Sequence, residues 1–177
     1  LQIFLDAQVP QVKFVDRTFN CNPKRTVELL QWILEHDNGI TNFHFEIAAD
    51  ITTEEELAIM EKMRSGLIQL EIGVQSTNPK TVEAIHRTMD LKKLEKVVSR
   101  VKSFGNIHQH LDLIAGLPYE DVNSFQKSFD DVYAMRPDQL QLGFLKVLKG
   151  SGMREDAPGY GINWHERAPY EVLTTDW

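Results

Sequence analysis

With 177 residues, of which 42% are hydrophobic, the chain can bury one sizeable core, so a single domain is the default. A formal net charge of −7 argues against a nucleic-acid surface, because phosphate binding needs clustered Lys and Arg, and no apolar run is long enough to span a bilayer. The lone cysteine, Cys21, excludes an internal disulfide and a cysteine-only metal cage.

These features favour a small-molecule or protein partner, with no nucleic acid and no membrane, in a reducing cytoplasm. The N-terminus has no signal-peptide pattern. The chain begins at Leu1 without an initiator Met and stops at Trp177, so it reads as an excerpt of something longer.

Taken in order, residues 12–16 read as a strand, and Asn22-Pro23 then supplies an N-cap and a first helical residue. Val27, Leu30, Ile33 and Leu34 recur at helical spacing. Residues 43–48 form a second strand, and Thr53 with Glu56 makes a capping box for a helix carrying Leu57 and Met60. A third strand at 68–74 is followed by a helix start at Asn78-Pro79 and a further helix with Leu94, Val97, Val98 and Val101. Residues 109–114 lead through Gly116-Leu117-Pro118 into a helix begun near Asp121, with Phe125, Phe129 and Val132 on one stripe. Residues 139–145 give the fifth strand, and the remainder is rich in Gly and Pro without a period.

Side chains alternate faces along a strand, so parity sorts them. His44 with Glu46, Gln69 with Glu71, His110 with Asp112, and Gln139 with Gln141 share one face, while Phe43, Phe45, Leu70, Ile72, Leu111, Leu113, Leu140, Leu142 and Phe144 occupy the other. Strand-helix units in series imply a parallel sheet covered by helices, where polar residues are costly unless paired or wet. The fold expected is therefore α/β, a partial, open TIM-like β/α barrel with parallel strands, helices outside and a polar lumen. A closed eight-fold barrel needs about 250 residues, which this chain lacks. The competing reading is an antiparallel sheet with one solvated face. Ligands in barrel-like sheets sit at the carboxyl ends of strands, where Asp16, Glu46, Gln75 and Asp112 fall.

Asp16-Arg17-Thr18-Phe19, Glu46, Gly73-Val74-Gln75-Ser76, Arg87, the run Asp112 to Pro118, and Pro137-Asp138 occur in a recognisable order and spacing. Over roughly residues 12–154 the chain resembles the radical S-adenosylmethionine (SAM) superfamily, most closely the oxygen-independent coproporphyrinogen III oxidase-like Fe-S oxidoreductases. Residues 168–173 resemble the start of a C-terminal extension in the subgroup that also carries a cobalamin-binding domain. The resemblance divides the chain into an N-terminal segment 1–11, a part-barrel 12–154 and an extension 155–177.

The resemblance also implies roles. Glu46 receives the methionyl ammonium of SAM; Gln75, with Ser76 beside it, reaches the ribose hydroxyls; Asp112 adds an acceptor for the same sugar; and Arg87 approaches the methionyl carboxylate. Gly116 closes the neighbouring strand, and Phe144-Leu145-Lys146 offers backbone groups to the adenine edge. Asp16 is expected only to face the lumen. The implied cofactors are SAM, a [4Fe-4S] cluster in the full-length protein, and cobalamin if the extension leads into that domain. The implied activity is generation of a 5′-deoxyadenosyl radical that abstracts hydrogen from a small-molecule substrate.

One departure qualifies this. The family holds its cluster on a Cys-x-x-x-Cys-x-x-Cys loop after the first barrel strand; that loop is absent, and Cys21 cannot replace it. The strand at Val12–Asp16 corresponds to the family's second, which puts the cluster cysteines upstream of Leu1 and leaves the chain itself with no metal ligands and no activity. It also leaves an open sheet edge, available to the segment before it or to a second copy in a homodimer. Each residue has a plainer reading too. Glu46 and Asp112 could be satisfied core polar groups and Arg87 a solvated helix-end charge. Cys21 reads as a small buried hydrophobe, and His44, His108 and His110 as substrate contacts or core filling. The alternative function is a degenerate, non-catalytic part-barrel serving as a binding or scaffold module.

Overall fold

Helix starts follow side-chain chemistry. In the computed structural model, which describes all 177 residues, helix α1 is Gln2–Asp6 and helix α2 is Pro23–Glu35. The Asn22 side chain accepts from Arg25 N at the start of α2, and proline fills the first turn, where no donor is missed. Helix α3, Glu54–Met60, opens with the reciprocal box expected: Glu56 N donates to Thr53 Oγ1 (3.2 Å) and Thr53 N to Glu56 Oε2 (2.9 Å). Helix α4 is Pro79–Ala84, capped by Asn78; α5 is Leu91–Phe104, capped by Asp90 and ended by Gly105 at φ 71°; α6 is Val122–Ala134; and α7 is Gly152–Asp156. Glycine suits the left-handed residue after α5 because it has no Cβ to clash.

Strands β1 (Gln11–Lys13), β2 (Asn42–Ile47), β3 (Ile68–Gln75), β4 (His108–Ala115) and β5 (Gln139–Phe144) form one five-stranded sheet in the order β1-β2-β3-β4-β5. Strand β1 runs parallel to β2 with Lys13 opposite His44, and β2 runs parallel to β3 with His44 opposite Gln69 and Glu46 opposite Glu71. The sheet is open. A separate antiparallel pair joins β6, Asn163–Trp164, to β7, Val172–Thr174.

The chain gathers into two compact units. The first comprises Leu1–Gly73, Asp90–Leu111 and Met135–Leu140, and the second Val74–Met89, Asp112–Ala134 and Gln141–Trp177. In the first, burial alternates along β3 as parity requires: Ile68, Leu70 and Ile72 are buried while Gln69 and Glu71 are half-buried. Phe43, Phe45, Leu30, Ile33 and Met60 complete this core, with the rings of Phe19 and Phe45 stacked at 4.1 Å. Each such side chain contributes about 1.5–3 kcal/mol by leaving water. In the second unit, Leu117, Leu145, Val147, Ala157 and Ile162 form the core, with Trp164 and Val172 packed against it.

Three expectations are corrected. Strand β1 stops at Lys13, so Asp16 lies past its end, before the turn at Arg17-Thr18, and its Oδ1 accepts from Arg25 Nη1 at 3.2 Å. Beyond Lys13, Phe14 N still donates to His44 O at 3.0 Å, and its ring packs against Phe19 and Phe45. Cys21 is exposed, since its neighbour Asn20 takes the buried place and bonds both ways with the Ala48 backbone, donating to O (2.9 Å) and accepting from N (3.0 Å). Leu142 and Phe144 are 47% and 80% exposed, because β5 ends the sheet order and lacks the cover an inner strand has.

Candidate functional site

In the first unit the polar face of β1, β2 and β3 is wired together. The register sets Glu46 directly opposite Glu71, a like-charge pairing that costs free energy on its own. Lys13 Nζ bridges the two, at 3.2 Å from Glu46 Oε1 and 3.0 Å from Glu71 Oε2. The Gln69 amide donates to His44 Nδ1 at 3.1 Å, which leaves the imidazole proton on Nε2, 2.9 Å from Glu71 Oε2. The electrostatics agree with this arrangement. Hydrogen bonding to Glu71 raises the Lys13 ammonium above its ordinary 10.5 despite some burial. Burial, reinforced by the Lys13 charge, lowers His44 below 6.5, so the ring is held neutral. Burial would raise the Glu71 carboxyl, but Lys13, His44 and His110 outweigh it and hold the group below 4.5.

In the second unit β3 ends in a strained turn. Ser76 N donates to Val74 O at 2.9 Å across Gln75, whose φ is +70°. This is a γ-turn of the uncommon sense, and a non-glycine residue held there costs about 1–3 kcal/mol. Gln75 Oε1 is buried without a hydrogen-bond partner. Ser76 is fully buried and donates to Glu120 Oε1 at 2.5 Å, and Ser128 donates to the same oxygen at 2.8 Å. Burial raises the Glu120 carboxyl above its usual range, only partly offset by these hydroxyls.

Four other expected residues lie in this second unit besides Arg87. Asp112 is half-buried on β4, and Gly116 follows that strand at φ 88°, a backbone conformation that favours glycine, although a Cβ there would meet Leu145 Cβ at an ordinary 3.7 Å. Phe144 and Lys146 are exposed at and just beyond the end of β5. A groove of about 680 Å³ brings Gly116, Phe144 and Lys146 together with Val172–Thr174 of β7, and Lys146 pairs in antiparallel fashion with Glu171. Arg87 is half-buried after α4, its backbone N donating to Val82 O at 3.0 Å. Glu46, by contrast, belongs to the first unit, with Lys13 and Glu71.

Residues 1–132 match the family model described as the Radical SAM superfamily. The chain belongs to the radical SAM superfamily. Within this superfamily, the oxygen-independent coproporphyrinogen III oxidase of Salmonella typhimurium is 27% identical over 146 residues, 79% of this chain and 31% of its own length. Coproporphyrinogen III oxidase (HemN) from Escherichia coli superposes with a TM-score of 0.60 at 19% identity, covering 83% of this chain and 38% of that one. The radical SAM methyltransferase TsrM from Kitasatospora setae, in a structure with cobalamin and a [4Fe-4S] cluster bound, superposes with a TM-score of 0.75 at 14% identity over 96% of this chain and 36% of its own. These structural likenesses bear on the fold, an open TIM-like radical SAM barrel. The chain spans about a third of the length of these relatives.

Radical SAM proteins use SAM and a [4Fe-4S] cluster. The donors here fit the two differently. A buried amide oxygen without a partner, on a strained turn, suits a hydroxyl-bearing ligand. A single exposed thiol does not suit an iron-sulfur cluster, so the residues present do not hold one. Lys13 and Glu71 were not foreseen as parts of one network, although the parity rule already put Glu71 on the polar face. Glu120 and Ser128 left no signal, since their meeting with Ser76 depends on how the turn after β4 returns.

Proposed function

We propose that this chain is the SAM-binding part-barrel, residues 12–154, of an oxygen-independent coproporphyrinogen III oxidase-like radical SAM oxidoreductase. Residues 1–11 form a leading segment and 155–177 an extension towards a cobalamin-binding domain. Gln75 carries the reading: a residue is held in a costly backbone conformation while its side-chain acceptor is buried and unused, which is the signature of a site awaiting a donor.

In this reading the Gln75 amide and the Asp112 carboxylate take the ribose hydroxyls, with Ser76 fixing the turn between them and α4. Glu46 accepts the methionyl ammonium in a charge-assisted bond, and the planar Arg87 fork meets the methionyl carboxylate. Gly116 leaves space for the nucleoside, and the backbone of Phe144 and Lys146 reads the adenine edge. SAM supplies hydrogen-abstraction chemistry after one-electron reduction; these residues bind it, orient it and exclude water. The cluster ligands are assigned to sequence upstream of Leu1, and the substrate is a small molecule held on the polar face of the sheet.

Calorimetric titration of SAM into the full-length protein tests this. Gln75→Ala and Asp112→Ala are each expected to weaken binding by about 1–3 kcal/mol, the cost of orphaning one partner of a buried hydrogen bond. Unchanged affinity in both variants would remove the ribose contacts. The single thiol favours a second reading, a non-catalytic part-barrel acting as a scaffold, which predicts no SAM binding even in the wild type.

A further inference from the structure

The carboxyl of Glu120 is only 4% exposed and sits on the turn between β4 and α6. Its Oε1 receives both the Ser76 and Ser128 hydroxyls, while Oε2 is buried with no partner. Each hydroxyl also accepts a backbone N–H: Asn78 N donates to Ser76 Oγ at 3.0 Å and Thr77 N to Ser128 Oγ at 3.1 Å. Thr77 Oγ1 donates onward to Asp131 Oδ2 at 2.7 Å, and Asn78 Nδ2 to Tyr119 O at 2.8 Å. The three residues that follow Gln75 are thereby pinned to α6 and to the turn before it.

That arrangement needs an acceptor at Glu120. Two hydroxyls whose lone pairs are already engaged by backbone donors must each place a proton, and one carboxyl oxygen with two lone pairs serves both. An apolar side chain would leave two buried donors unmet. The charge itself is a burden: burial pushes this carboxyl up, and no cation lies against it. A costly buried acid fixing the residues beside a strained Gln75 makes sense if the turn must not relax.

We propose that Glu120, acting through Ser76 and Ser128, is the positioning residue that holds the Gln75 amide where it meets the ribose hydroxyls of SAM. This rests on the reading of Gln75 given above. Without the clamp, the positive-φ turn relaxes and the amide leaves its place, although β3 and α6 persist through their own packing.

The test is a double-mutant cycle on the full-length protein, read by calorimetric titration of SAM, with thermal unfolding alongside. Gln75→Ala and Glu120→Ala are each expected to weaken binding about tenfold, the scale of one lost buried hydrogen bond. Glu120→Gln restores affinity to within about threefold of wild type, because a carboxamide oxygen accepts the same two hydroxyls. The double variant binds no worse than Gln75→Ala alone, since both changes act through one amide. A double variant about a hundredfold weaker overturns the proposal, because independent sites add. So does wild-type affinity in Glu120→Ala when Gln75→Ala is weakened; that result leaves the ribose reading standing. Wild-type affinity in Gln75→Ala removes the ribose reading and the proposal together. Should Glu120→Ala fail to fold, Ser128→Ala takes its place in the same cycle.

Discussion

Lys13 joins two carboxylates that the sheet register would otherwise leave face to face. Replacing it with Met is expected to cost about 1 kcal/mol at neutral pH, the upper end for a partly exposed pair, since the lysine side chain is 45% exposed. The pH dependence follows from both partners. Lys13 is raised above 10.5, so its contribution is complete below that value and fades as pH climbs through the raised one. Glu71 is lowered below 4.5, so its contribution is complete above 4.5 and fades as pH falls through the depressed value. Urea unfolding of wild type and Lys13→Met should therefore differ most between these limits. A gap undiminished in strong acid would show that Lys13 acts by packing instead. Gln75 makes a different prediction. Gln75→Gly should leave stability level or raise it by up to about 1 kcal/mol, because relief of the left-handed strain competes with glycine's added chain entropy, and it should lose SAM affinity.

Among the elements, α3 separates a cap from a charge. Thr53→Ala should cost about 1 kcal/mol by stripping the acceptor from Glu56 N. Glu56 is fully buried, and burial raises its carboxyl above 4.5, so its charged form opposes folding and the penalty grows as pH rises through that value. Glu56→Gln, keeping an oxygen for Thr53 N, should thus be neutral or stabilising at pH 7, as measured by thermal melts of both variants; a loss matching Thr53→Ala would sink this account. The same elements show what the sequence could reveal. Asn22, Thr53 and Asn78 marked helix starts because capping is local chemistry, and strand parity put Glu46, Glu71 and Asp112 on a polar face because side-chain alternation is equally local. Asp16, Cys21 and Phe144 were misjudged because their surroundings come from distant segments: Phe19 and Phe45 packing on Phe14, Ala48 claiming Asn20, and no strand pairing beyond β5 in the five-stranded sheet. The Glu120 clamp was invisible for the same reason, joining residues 44 positions apart.

At the scale of the molecule, one exposed thiol predicts that the purified 177-residue chain is colourless and takes up no four-iron cluster on anaerobic reconstitution. Iron bound near cluster stoichiometry would refute it. No helix is long and apolar enough to cross a membrane. With β1 and β5 ending the sheet order of this chain, we propose a second copy as one partner for an open edge, the other for β1 being the segment before it. Light scattering across a dilution series checks it; a mass fixed at 20.4 kDa throughout would exclude a dimer.

The strict agreement between sheet order and sequence order bears on how the protein is made. Gln11 meets Asn42 across 31 residues and His44 meets Gln69 across 25, so each new strand needs only its immediate predecessor as a template. A ribosome adding about 5–20 residues per second delivers such a unit every few seconds, long after helices and short loops have closed. The sheet can therefore be laid down in the order of translation, with no strand waiting for one not yet synthesised. The hazard moves with the tunnel exit: at every moment the last strand finished is the one exposed to neighbouring nascent chains, until the next emerges to cover it.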